Sequence, residues 1–262
     1  MHPHLPDDVV LHVPHDSVTI PADVREQFVL DDDALLAELM SMTDHHTLAL
    51  FAGERPRGRV VRAPVSRLVV DVERFADDDQ EAMARCGMGA VYARCADGRP
   101  LRRALAAAER DALLRRFYRP HHEALEATVS DALARHGRCL VIDCHSFPHQ
   151  ALPYEGAAPG AFRPDICVGT DAFHTDDALR AAFVSGFDAM GWSVRVDDPF
   201  AGALVPAGRF RRDRRVAAVM VEINRRLYLR EGTPARAGDF DDVAARVQRA
   251  CAAAVQAWRG AA

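Results

Sequence analysis

The sequence predicts an α/β domain whose sheet is covered on both faces, and three observations carry that prediction. Apolar runs of strand length recur and end in polar or charged residues. Alanine- and leucine-rich segments with helical spacing lie between them. The 262 residues, 49% of them hydrophobic, suffice to bury a full core in one domain over residues 1–262.

The strand candidates, in chain order, are Val9–Val13 before Pro14-His15, residues 68–72, residues 139–142 before Asp143, residues 166–168 before Gly169, and residues 216–223. Each reads as a buried strand whose end delivers polar groups. Helical spacing marks residues 32–51, 101–136, 176–190 and 239–258. Asp31-Asp32-Asp33 and Asp176-Asp177 stand where acidic caps open helices, and Pro120 should kink or divide the third segment. Residues 148–164, rich in proline and glycine, read as a surface loop beside the strand that ends at His145. Such a loop can cover a pocket, because ligands in open α/β sheets bind beyond the carboxyl ends of strands.

A formal charge of −5 and a pI near 6.2 give no global pull toward nucleic acid or an anionic membrane. The local cluster Arg209, Arg211, Arg212, Arg214 and Arg215 reads as a solvated loop. No stretch approaches the ~18 to 20 apolar residues of a membrane helix. MHPHLPDDVV has no basic segment followed by an apolar core, so the chain is expected to stay in the cytoplasm. Six cysteines without a CxxC pair fit a reduced compartment and point to neither a disulfide framework nor a cysteine zinc site.

Of twelve histidines, His2, His4, His136 and His174 lie in polar or terminal segments and are expected at the surface. His15 and His145 each follow an apolar strand, in VPHDS and VIDCHS, so their rings can converge at one sheet edge. A catalytic zinc takes about three protein ligands and keeps one open position. Asp44, in TDHHTLALF, is the candidate carboxylate, with an exposed acid near a helix start as its plain alternative.

Amide cleavage also needs a base and a cation for the oxyanion. Glu222 closes the apolar run VAAVMVEI, where burial raises a carboxyl pKa, and Arg67 opens RLVVDV with a permanent charge. A buried ion pair between such groups is the competing reading. Asp143 stands two residues before His145, on the same strand face, as a candidate orienting partner. His45, His46 and His122 are assigned helix-surface or packing roles, with a proton relay in reserve.

Taken in order, VPHDS with Ile20-Pro21, TDHHTLALF, SRLVVDVERF, GMGAVY, FYRPHHEAL, VIDCHSFP, PDICVGT and VEINRRLYL resemble the N-formylglutamate amidohydrolase family over residues 13–229. The resemblance implies a three-layer α/β/α sandwich on a mixed, largely parallel sheet, similar to zinc carboxypeptidases. It implies removal of an N-formyl group from an acidic amino acid, as in histidine breakdown, with a small N-acyl amino acid as partner. It further implies zinc at His15, His145 and a carboxylate, most plausibly Asp44, and Glu222 as the base that activates the attacking water. Arg67 would meet a substrate carboxylate or the oxyanion, with Asn224 and Arg225 close by.

The chain also departs from the pattern. Zinc carboxypeptidases carry a glutamate three residues after the first histidine, where this chain has Val18, so Asp16 competes with Asp44. Asp16-Ser17 stands where a small residue and glycine are frequent, and Glu73-Arg74 where asparagine is. These differences leave another N-acyl amino acid or a small peptide open as substrate. An arginase-like binuclear site would need DxHxD, and the third element here is Phe147. A non-catalytic metal- or metabolite-binding homologue would be expected to lose either Glu222 or the open metal position.

Overall fold

The computed structural model describes residues 5–54, 58–158, 160–230 and 232–261, so His2 and His4 lie outside the described residues. A six-stranded sheet runs in the order β2-β1-β3-β6-β4-β5, formed by β1 (Val9–Val13), β2 (Arg59–Arg62), β3 (Cys139–Phe147), β4 (Ile166–Gly169), β5 (Val194–Val196) and β6 (Val216–Asn224). β1, β2, β3 and β6 are mutually parallel, and β4 meets β6 antiparallel, so the sheet is mixed and largely parallel as expected. The helices are α1 (Ala22–Arg25), α2 (Asp32–Met42), α3 (Thr47–Ala52), α4 (Ala107–Leu113), α5 (Arg119–His136), α6 (Asp177–Asp188) and α7 (Phe240–Ala261).

Alternation along the strands divides the sheet into two faces. Leu11, Leu140, Ile142, Cys144, Val219, Val221 and Ile223 point to one core, closed by Phe183 of α6 and Val247 of α7. Val10, Val141 and Ala218 point to the other, under Leu125, Val129 and Leu133 of α5. Helices on both faces give the three-layer architecture. On the α5 face the first half of each strand is wholly apolar. Further along, β3 presents Asp143, His145 and Phe147, in register with Met220, Glu222 and Asn224 of β6, and β1 presents His12 beside Asp143.

Residues 68–72 are not a strand. They are fully buried, but Val69 and Val70 both donate backbone N–H bonds to Ser66 O, closing turns. The turns sit in a third core with Phe28, Met42, Tyr92 and Leu101, and Arg102, stacked 4.8 Å over Phe28, binds the Leu68 and Val69 carbonyls. A buried apolar run reads alike in sequence whichever backbone it adopts.

The segment 32–51 is two helices rather than one. At the break His46 takes φ 64°, and Asp44 N donates to His15 O at 2.9 Å. Asp44 is thereby pinned to the end of β1. Asp31 and Asp176 cap α2 and α6 through Ala34 N and Leu179 N. Pro120 lies in the first turn of α5, joined to α4 by a π-helical turn over Leu114–Tyr118. His174, expected at the surface, is buried; its Nδ1 bonds Val216 O and its Nε2 accepts from Arg211 N.

Candidate active site

His15, at the end of β1, and His145, near the end of β3, converge with ring centroids 5.1 Å apart and both buried. Two imidazoles on one tetrahedral ion have centroids about 5 Å apart, given bonds of about 2 Å. Asp44 Oδ2 lies 3.1 Å from His145 Nδ1 and 3.8 Å from His15 Nδ1. The outer nitrogens are each backed by a carboxylate: His15 Nε2 by Asp71 Oδ1 at 2.8 Å and His145 Nε2 by Asp143 Oδ1 at 3.1 Å. His15 Nδ1 is buried and has no hydrogen-bond partner among the described residues.

Glu73 meets the other ring nitrogen of His145, its Oε2 3.0 Å from Nε2. It joins two groups able to bring three ligand atoms within 4.8 Å of one another, His15–Glu73–His145 and His12–Glu73–Asp143. Behind them runs a buried chain: His12 Nδ1 meets Asp143 Oδ1 at 2.7 Å and His12 Nε2 meets His121 Nε2 at 2.8 Å. Sequence reasoning missed Glu73, Asp71, His12 and His121. A histidine inside the apolar strand VVLHV was itself a signal, because a buried imidazole requires a partner.

Burial acts against every charge here, and the partners decide the outcome. Burial would raise the Asp44 carboxyl, but the hydrogen bond from His145 and the nearby charges of Arg225 and His15 hold it well below the usual range. Asp71 is held down against burial by Arg67 and His15, and Asp143 by His145 and His12. Burial would lower His145, yet Glu73, Asp143 and Asp44 lift it well above the ordinary imidazole value. Glu222, directly across from His145 in the β3–β6 register, goes the other way: burial pushes it up to about 7 against the charges of His145 and Arg225. Its Oε2 has no partner among the described residues.

Arg67 lines the cavity above these groups and clamps Asp71 at 2.8 Å. Arg225 also lines it, but its guanidinium is spent on Asp44, the Ser41 and Ser146 carbonyls and Ser146 Oγ. Arg74 lines the cavity with Nε unpartnered among the described residues; its nearest carboxylates, Asp71 and Glu81, are 3.8 and 3.9 Å away. Asn224 is not brought to the cavity; its buried amide donates to Pro164 O and accepts from Arg226 N, tying the 148–164 loop to β6. Leu152 and Tyr154 of that loop do line the cavity.

Asp16 is drawn away by Arg62, at 2.5 Å, and by Leu48 N of α3. His122 lines the cavity, its Nε2–H on Val72 O and its pKa pushed down to about 4 by burial. His45 is buried and also lowered to about 4, and His46 bonds Pro234 O.

A model of the N-formylglutamate amidohydrolase family matches residues 7–229. Among solved structures, this fold superposes on N-formylglutamate amidohydrolase from Ralstonia eutropha JMP134 with a TM-score of 0.84 at 24% identity, over 97% of this chain and 95% of that one. It superposes on a gene product of Agrobacterium tumefaciens with a TM-score of 0.65 at 22% identity, over 97% and 90% of the two chains. No curated protein matches the chain. The family match begins before β1 and ends past β6, so it takes in every element that reaches the cavity; the chain belongs to the N-formylglutamate amidohydrolase family and is a hydrolase of a linear amide C–N bond.

Proposed function

We propose that this chain, acting as one cytoplasmic domain, is a zinc-dependent amidohydrolase that cleaves N-formyl-L-glutamate or a related N-acyl amino acid to the carboxylic acid and the free amino acid, as in histidine breakdown. The observation that carries the reading is the pair of buried imidazoles facing one carboxylate oxygen, each backed by a second carboxylate. That carboxylate–histidine arrangement sets tautomer and orientation around a metal, and His15 Nδ1, buried without a hydrogen-bond partner among the described residues, suits a cation. His15, Asp44 and His145 would hold it. Asp44 is preferred because its Oδ2 faces the Nδ1 of both histidines; Glu73, which forms with them a trio of ligand atoms within 4.8 Å, is the competing carboxylate. Bound there, zinc supplies a Lewis acid for the carbonyl and acidifies water.

The chain's own groups do the rest. Arg74, without a hydrogen-bond acceptor at Nε, takes the substrate carboxylate, and Arg67, fixed by Asp71, faces the carbonyl oxygen as negative charge develops. Glu222 removes the proton of the attacking water at a carboxylate whose pKa near 7 suits that task, then returns it to the leaving nitrogen. Arg225 keeps Asp44 ionised and oriented rather than touching substrate.

The test is metal content and N-formyl-L-glutamate hydrolysis on one purified sample, before and after chelation and zinc restoration. Chelator-sensitive, zinc-restored release of formate supports both chemistry and substrate. Full activity in metal-free protein would overturn the zinc reading.

A further inference from the structure

The cavity over the site measures about 1460 Å³, whereas pockets for drug-sized ligands occupy about 300–1,000 Å³ and N-formylglutamate has only about a dozen non-hydrogen atoms. The surplus has a definite character. On the β1 side the walls carry Arg67 and Arg74. On the β6 side they are apolar: Phe147 and Met220 from the sheet, and Phe200, Ala203, Leu204 and Val205 from the segment that follows β5.

That segment is built in rather than merely nearby. Leu204 N donates to Asp143 Oδ2 at 2.9 Å, and Gly202 N to Thr170 O at 3.1 Å. It lies so close to β4 that a Cβ on Gly169 would overlap both Met220 and the Gly202 carbonyl. Carboxylates bordering this wall are already engaged: Glu126 by Arg209 and Ser130, Glu155 by Arg163, Asp143 by His12. Two further carboxylates line the cavity, Glu123 on α5 and the proposed base Glu222, so the apolar stretch is the wall formed by Phe147, Met220, Phe200, Ala203, Leu204 and Val205.

We propose that the apolar wall is an acyl-binding arm, and that the substrates this chain handles best are N-acyl amino acids with a straight apolar acyl chain of several carbons. The inference rests on the amidohydrolase reading above. In such a substrate the carboxylate and the acyl chain leave the scissile amide in opposite directions. With the carboxylate at Arg74 and the carbonyl carbon between His145 and Glu222, the acyl substituent runs along Met220 and Leu204. A formyl carbon carries only hydrogen in that direction and gains nothing from the wall, whereas each methylene buried there is worth about fourfold in affinity.

The experiment measures kcat/KM of the zinc-supplemented protein for N-formyl-, N-acetyl-, N-butyryl- and N-hexanoyl-L-glutamate by glutamate release. The expected result is a rise of at least about tenfold from acetyl to hexanoyl. Ala203→Trp, which fills the arm, is expected to lower the hexanoyl-to-formyl ratio at least about tenfold; the ratio is internal to one preparation, so partial misfolding cancels. A kcat/KM that stays flat or falls from formyl to hexanoyl would overturn the acyl arm and leave the amidohydrolase reading standing. No hydrolysis of any of the four would overturn both.

Discussion

The two sides of the cavity stand on one sheet, β1 and β6 flanking β3, yet they treat charge in opposite ways. On the β1 side the two aspartates are paired: Asp44 with Arg225 and two histidines, Asp71 with Arg67 and His15. These groups stay ionised despite full burial. On the β6 side Glu222 stands between Met220 and Asn224 on its face of the strand, with Oε2 unpartnered among the described residues and a pKa raised to about 7. Titratable groups pushed apart by their surroundings mark a division of labour between holding and proton transfer. The paired side is rigid electrostatic scaffolding, and the lone carboxyl is the group able to change state near neutrality.

The largest effects should separate those roles. Glu222→Gln is expected to lower kcat by about 10² to 10⁴ while zinc content stays near stoichiometric. Retained turnover would remove Glu222 as the base, and lost zinc would move it to the holding side. Asp44→Asn is expected to cost more than about 100-fold in zinc affinity by chelator competition, beyond the 10- to 100-fold of changes to outer partners. Glu73→Gln serves as the control: the larger loss in Glu73→Gln would make Glu73 the ligand and reverse the assignment.

The same division explains what was legible beforehand. His15, His145 and Glu222 could be picked out because each follows or ends a long apolar run, and runs in parallel strands end at the same sheet edge. Edge strands β2 and β5, RVVR and VRV, could not: they are short and carry arginine, and only pairing with β1 and β4 makes them strands. Residues 68–72 were misread because periodicity reports burial and not backbone geometry. Asp71 and Glu73 were overlooked with them. A strand would have sent Asp71 and Val72 to opposite faces, whereas the turns aim Asp71 at His15. Asn224 and Arg225 were correctly adjacent to the site in sequence, yet the strand end turns one into a loop tie and the other into a carboxylate clamp.

Asp71→Asn tests whether the backing carboxylates belong to the scaffold. The substitution keeps the shape but removes the charge that fixes His15 Nε2 and Arg67. Zinc affinity is expected to fall about 10- to 100-fold, with the helix content of the circular dichroism spectrum unchanged. Unaltered affinity would mean that His15 needs no backing, and the paired side would lose its claim to be a metal cradle.

The smallest effect bears on why Glu222 differs. A base must be ionised to act, so a carboxyl raised to about 7 gives a kcat/KM that declines about tenfold per unit as pH falls below its pKa. A cation beside His145 favours the carboxylate and draws this limb below 7. If burial is the cause of the elevation, Met220→Gln, which places an amide two residues away on the same face of β6, should move the acid limb down by a few tenths of a unit at most. The shift should appear in wild-type background and vanish in Glu222→Gln, whose residual rate lacks the titrating group. An acid limb that survives Glu222→Gln unchanged would assign it to protonation of the histidines, and the contrast between the two walls would then lie in metal binding alone.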